Sequence, residues 1–158
     1  IKDMSVIGKI KEENARTIAK QREIAFEYLF DKNQVKPDVM VGKFYLFEYD
    51  PKTKQQLARW DRYPLVLVTN IYQDGFMGAN FHYTTEKQRM ILAKKFLNNN
   101  VRIPLKLLHR YIVNRADNLF FEVPESELVE FAALPIEQFY DARNRFVSKK
   151  KVQQSNRR

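Results

Sequence analysis

The sequence contains no cysteine. A disulfide framework, a thiolate zinc site, an iron–sulfur cluster and a cysteine nucleophile are therefore excluded. Histidine is nearly as scarce: His82 and His109 are the only two, 27 positions apart and without HxxxH or HxH spacing. No metal site is expected from them, and His82, in Asn80-Phe81-His82-Tyr83, reads best as a structural hydrogen-bonding residue. Long apolar runs are missing too. Stretches such as Pro64 to Val68 fall far short of the roughly 20 residues a membrane helix needs. No signal peptide opens the chain, so a soluble protein made in a cytoplasm is expected. The serines and threonines have no paired base and nucleophile that would form a triad.

What is present is the material of one compact domain with tails. The 158 residues are 44% hydrophobic and 13% aromatic, with 12 Phe, 8 Tyr and only 4 Gly, enough to bury a real core. The net charge is +9, and its placement is uneven. Residues 1–37 carry 8 basic and 6 acidic side chains, residues 38–140 carry 13 and 12, and residues 141–158 carry 7 and 1. The basic excess thus lies at the C-terminal end. A second asymmetry lies inside the middle segment: Thr84 to Arg115 holds eight basic residues against Glu86, whereas Ala116 to Ala142 holds seven acids and no Lys or Arg.

Lys9 to Phe30 has no Gly or Pro, and Ile10, Ile18, Ala25 and Leu29 recur at helical spacing, predicting one helix that docks on the core or reaches out to a partner. Asn33 to Pro37 ends it. From Gly42 the period becomes two, and Lys43 to Tyr49 reads as a strand. Pro64 opens a second strand over Leu65 to Ile71. Gln73-Asp74-Gly75 makes a hairpin turn, and Phe76 to Tyr83 is the third strand, with Gly78 a bulge or close-approach site. Thr85-Glu86-Lys87-Gln88 has the form of a capping box and starts a helix to about Leu97. A short helix is expected from Pro104 through Ile112, strands at Leu119 to Val123 and Glu130 to Leu134, and a last helix from Pro135 into Lys149-Lys150-Lys151. Five short strands with one helical insertion predict an α+β chain: a small SH3-like five-stranded barrel over residues 38–140, its insertion at 84–115, an N-terminal helical arm at 1–37 and a basic tail at 141–158.

The densest functional candidate is Arg59-Trp60-Asp61-Arg62-Tyr63-Pro64, two guanidinium groups and two aromatics suited to phosphate and base contact. The alternative is that Trp60 and Tyr63 close one end of the barrel while Asp61 pairs with an arginine. Asp50, Asp61 and Asp74 stand at strand ends or turns, where Asp serves local hydrogen bonding, and a carboxylate metal nuclease is the lesser reading. Lys87, Arg89, Lys94, Lys95, Arg102, Lys106, Arg110 and Arg115 form a basic zone that a solvated helix face or pairing with the acidic segment explains as well as nucleic acid does. In the tail, Arg143, Arg145, Lys149, Lys150, Lys151, Arg157 and Arg158 predict non-specific contact with the phosphate backbone of DNA; about five neutralised phosphates would give a log–log salt slope of roughly −4 to −5. A solubilising or assembly tail is the alternative. No cofactor is expected.

The blocks Gly42-Lys43-Phe44-Tyr45-Leu46-Phe47-Glu48-Tyr49-Asp50-Pro51-Lys52-Thr53-Lys54, Trp60 to Leu67 and Asp74-Gly75-Phe76-Met77-Gly78-Ala79-Asn80-Phe81-His82-Tyr83 resemble small proteins of T-even-like tailed bacteriophages. That resemblance reaches more weakly to Phe120-Phe121-Glu122-Val123-Pro124 and Leu134 to Phe139. Together with the lack of a catalytic constellation and with the basic tail, which lies outside the resembling core, it implies a non-enzymatic virion protein of the head, neck or baseplate, made in the bacterial host, that docks on neighbouring virion proteins and meets DNA through that tail, or one that is purely architectural. A fainter resemblance is to the MazF and PemK toxin ribonucleases, also SH3-like barrels. It implies catalytic roles for Arg62 and Thr69, although Tyr63 separates the arginine from Pro64 and no base is apparent.

Overall fold

The computed structural model describes residues 4–98 and 102–155. Two helices, α1 (Val6–Glu12) and α2 (Ile18–Asp31), stand where the sequence predicts one. The break is Asn14, whose φ of 53° is left-handed backbone that a helix cannot continue through. Thr17 then restarts the helix, its Oγ1 accepting from Lys20 N at 3.1 Å. Both helices dock. Val6, Ala25, Tyr28 and Leu29 are buried in the main core, and Ile7 N donates to Glu130 Oε1 at 2.7 Å.

The rest of the chain runs β1 (Val35–Lys36), β2 (Phe44–Leu46), β3 (Arg59–Asp61), β4 (Leu65–Tyr72), β5 (Gly75–Asn80), α3 (Glu86–Leu97), β6 (Leu108–Ile112), β7 (Phe120–Glu122), α4 (Leu128–Ala132), β8 (Phe139–Asp141), β9 (Phe146–Val147) and α5 (Lys149–Ser155). An antiparallel six-stranded sheet has the order β1-β7-β2-β4-β5-β6, and a three-stranded one the order β3-β8-β9. The chain is α+β as predicted, but both sheets are open, with β1 and β6 at the edges of the larger; the pairing is not that of a closed five-stranded barrel.

Side chains on β2 alternate between two cores. Phe44 and Leu46 join Leu29, Phe81, Phe96 and Phe131 beneath the helices, whereas Tyr45 and Phe47 enter an aromatic cluster with Trp60, Phe76, Tyr111 and Phe120. Period-two alternation on a strand buried on both faces explains the near-continuous aromatic run from Phe44 to Tyr49. Phe47 sits edge-to-face with Phe76, Tyr111 and Phe120 at 5.4–5.6 Å.

The hairpin at Gln73-Asp74 forms as predicted, but its second strand stops at Asn80 instead of Tyr83: the Asn80 side chain accepts from His82 N and Phe81–Tyr83 turns as a 3-10 helix. Gly78 is a close approach: a Cβ there would stand 2.7 Å from the Leu67 carbonyl oxygen. The bulge lies across the ladder on β4, between Val68 and Asn70. Thr85 caps α3, and Gln88 reaches the Thr84 hydroxyl instead of completing the box. Three expectations give way to long-range packing, two of them to strand pairing. Beyond Pro104, only Leu105–Leu107 is helical; Leu108–Ile112 becomes an edge strand through its five-residue register with β5. Glu130 to Leu134 is mostly α4, whose Leu128, Phe131 and Ala132 are buried on one side of a single turn. Where a helix was expected from Pro135, β8 pairs with β3, the chain turns at Asn144 with φ 61°, and helix resumes at Lys149.

Candidate nucleic-acid interface

β3 and β6 are edge strands of different sheets, and they face each other. Arg59, Trp60 and Asp61 of β3 and His109, Arg110 and Tyr111 of β6 line one narrow space between them. Beside it opens a cleft of about 490 Å3 lined by Arg59, Lys106, Lys151, Asp141, Tyr83 and His109. Each cation arrives on a different element: Arg59 on β3, Lys106 on the turn before β6, Lys151 on α5.

The carboxylate in the cleft is already engaged. Asp141 lies opposite Arg59 in the β3–β8 register, accepts from Arg143 N and Arg145 N at 2.9 and 3.0 Å, and pairs with Arg145 Nε at 3.0 Å. The Arg145 backbone N–H, followed by the other bonds of this turn, holds the Asp141 carboxyl below the usual range. His109 is stacked on Tyr83, ring centroids 4.0 Å apart, and its Nε2 lies 3.2 Å from Lys106 O. Burial keeps its imidazole below the ordinary value, so at neutral pH it adds no charge. Burial also pushes the Tyr83 hydroxyl well up, leaving it neutral.

A buried polar network fixes the elements that carry the cleft. Asp61 accepts from His82 Nδ1 at 2.7 Å, Asn80 Nδ2 at 3.0 Å, Tyr63 N at 3.0 Å and Gln138 N at 3.2 Å. The Arg89 guanidinium, fully buried, pairs with Glu137 and donates to the Thr84, Leu134 and His82 carbonyls. Gln153 of α5 closes the network, donating to Glu137 Oε2 at 3.0 Å and His82 O at 3.3 Å. Burial raises both carboxyls, but the His82 ring and hydrogen bonds outweigh it at Asp61, and His82 together with Arg89 outweighs it at Glu137; both end below their ordinary values. With Val152 packed against Ala79, Tyr83, Leu107 and Phe139, this anchors the basic C-terminal segment to the core.

The sequence candidates separate accordingly. Arg59 and Lys151 meet at the cleft, and Lys149 and Lys150 precede Lys151 on α5. Arg143 and Arg145 stand on the exposed β8–β9 turn. Arg157 and Arg158 lie outside the described residues. Trp60 is no exposed base platform: it is 4% exposed and stacked on Tyr140 at 4.8 Å, because strand pairing turns it into the aromatic core. Asp61 pairs with His82 instead of an arginine. Arg62 holds Glu48 at 2.8 Å, and Thr69 Oγ1 donates to Met77 O at 3.2 Å, so the two residues of the ribonuclease reading are each committed to other partners. Within the basic zone, Arg89, Arg110 and Arg115 are tied to Glu137, Asp74 and Asp38. Lys106 is the cleft residue that sequence reasoning left undistinguished; its one signal was its position just past Pro104, at a turn.

A second recess, of about 500 Å3, has the opposite sign, with Glu48, Asp50 and Asp117 around Phe26, Tyr63 and Phe121. Like charge disfavours phosphate there, so of these two large recesses the cleft beside β3 and β6 is the better candidate for nucleic acid. Among the described residues no group of three or more His, Asp or Glu is placed to hold a metal ion, and no helix is long and apolar enough to cross a membrane.

The family model described as phage T4 terminal DNA protecting protein matches residues 4–105, from α1 to the threshold of the cleft turn, including Arg59 and the Asp61–His82 pair. No curated protein and no solved structure matches the chain.

Proposed function

This chain belongs to the phage T4 terminal DNA protecting protein family, and on that premise we propose that it covers the ends of duplex DNA, holding the phosphate backbone against a basic face centred on the cleft between β3 and β6. The observation that carries this is the convergence of Arg59, Lys106 and Lys151, far apart in sequence, on one concave surface. Arg143, Arg145, Lys149 and Lys150 extend the same positive field, and Arg157 and Arg158 belong with them by sequence. Such contacts are electrostatic and independent of base sequence. Protection then needs no catalysis: a protein seated on a duplex end denies it to nucleases by occupying it. We place the protein in the virion, where solvent-exposed Phe30, Met40 and Val41 offer apolar contacts to neighbouring proteins.

Duplex binding across a salt series tests the DNA reading. The full chain is expected to give a log–log slope of roughly −4 to −5, and the variant Arg59→Ala/Lys106→Ala/Lys151→Ala one shallower by about 3. An unchanged slope in the variant overturns the cleft as the DNA-contacting surface.

A further inference from the structure

Resting on the DNA-end reading, we propose that the cleft is a pocket for a terminal phosphomonoester: the last nucleotide of a strand enters it, with its phosphate between Arg59, Lys106 and Lys151 and its base toward the Tyr83–His109 stack. Three features of the site point to a strand end in preference to the middle of a duplex.

The first is shape. A volume of about 490 Å3 lies in the range of small-ligand sites and admits one nucleotide, not a continuous double helix. A duplex passing over the protein meets only its rim, while a frayed or single-stranded terminus can go in.

The second is charge. A phosphate inside a strand is a monoanion with two free oxygens, whereas a terminal monoester carries about −1.5 to −2 at neutral pH and offers three strong acceptor oxygens. Cations on three separate elements can approach such a group from three sides, and one of them is a guanidinium fork. Asp141, the acid in the cleft, is taken up by Arg145 and by the Arg143 and Arg145 N–H groups.

The third is the wall. His109, partly exposed and uncharged at neutral pH, is backed at 4.0 Å by the buried Tyr83 ring, so the aromatic surface at this wall is that of His109 and is compatible with any base. The cleft therefore reads a terminus by its phosphate while ignoring sequence.

The test compares four short duplexes of one sequence at a fixed salt concentration: 5′-phosphorylated, 3′-phosphorylated, hydroxyl at both ends, and a dumbbell closed by loops so that it has no ends. The full chain is expected to bind one of the phosphorylated duplexes at least about tenfold more tightly than the hydroxyl duplex, the size of one or two charge-assisted hydrogen bonds, and the tighter of the two identifies the strand end recognised. Lys106→Ala/Lys151→Ala, which removes only lysine side chains outside the buried core, is expected to bring the affinities for phosphorylated and hydroxyl ends together, while its dumbbell binding weakens with a salt slope shallower by about 2. Equal affinity for phosphorylated and hydroxyl ends overturns the pocket and leaves the DNA reading standing. Failure to bind any of the four overturns both.

Discussion

His82 Nδ1 lies 2.7 Å from Asp61 Oδ2, and neither side chain reaches solvent. Asp61 ends β3 and His82 follows β5, so this contact ties the small sheet to the large one directly behind the cleft. With Asn80 and two backbone N–H groups also donating, the carboxylate is fully satisfied, which is the condition under which a buried charge is tolerable.

Removing Asp61 should therefore cost far more than an exposed residue would. Asp61→Ala is expected to destabilise the fold by about 3–5 kcal/mol, read from the urea midpoint, because His82, Asn80 and two N–H groups lose their acceptor together.

Acid should unfold the protein by the same route. Asp61 and Glu137 are held below their ordinary values of 3.8 and 4.5, so the stability they contribute is present above those values and is lost as pH falls through the lower folded ones. His109, depressed by burial from 6.5, acts in the same direction from that pH downward, since the folded state resists its protonation. Thermal melts across a pH series should show a melting temperature that falls with acidification, with a shallower acid limb in Asp61→Asn.

The Arg89–Glu137 pair joins α3 to the segment leading into β8, with side chains 0% and 1% exposed. Arg89→Ala is expected to cost about 3–5 kcal/mol by stranding the Glu137 charge, and Arg89→Met/Glu137→Gln to recover part of it. Denaturant titration of both variants checks the order.

Trp60→Ala separates a core role from base stacking. Its indole sits between Tyr140, stacked at 4.8 Å, and Tyr49, edge-on at 6.3 Å, so about 3–5 kcal/mol of stability is expected to go. The DNA salt slope of the folded fraction is expected to stay unchanged. A slope that drops with a full-strength fold would put Trp60 on the DNA.

Much of the sheet was legible because its signals are local. Pro64 opens β4, Asp74-Gly75 turns the hairpin, and Thr85 caps α3, each through chemistry within a few residues. The errors fall where partners are distant. β6 carries Tyr111 and Ile112 but follows the Pro104 helix signal, and its register with β5 decides it; β8 is three residues long and exists by pairing with Arg59–Asp61. The site followed the same division. Arg59 and Lys151 could be named as candidate phosphate contacts from residue type, but their meeting depends on β3 reaching β8 and on Val152 anchoring α5. For Arg89 the sequence left open a solvated helix face or pairing with the acidic 116–142 segment; the buried pair with Glu137 meets the second, and only the fold selects that acid.

Digestion of linear duplex DNA by an exonuclease, with the protein present at a stoichiometric excess over ends, tests the central claim most directly. The full chain is predicted to delay digestion, and Arg59→Ala/Lys106→Ala/Lys151→Ala to lose that effect while melting like the parent. Digestion at the unprotected rate with the full chain, or equal protection by the triple variant, would contradict the account.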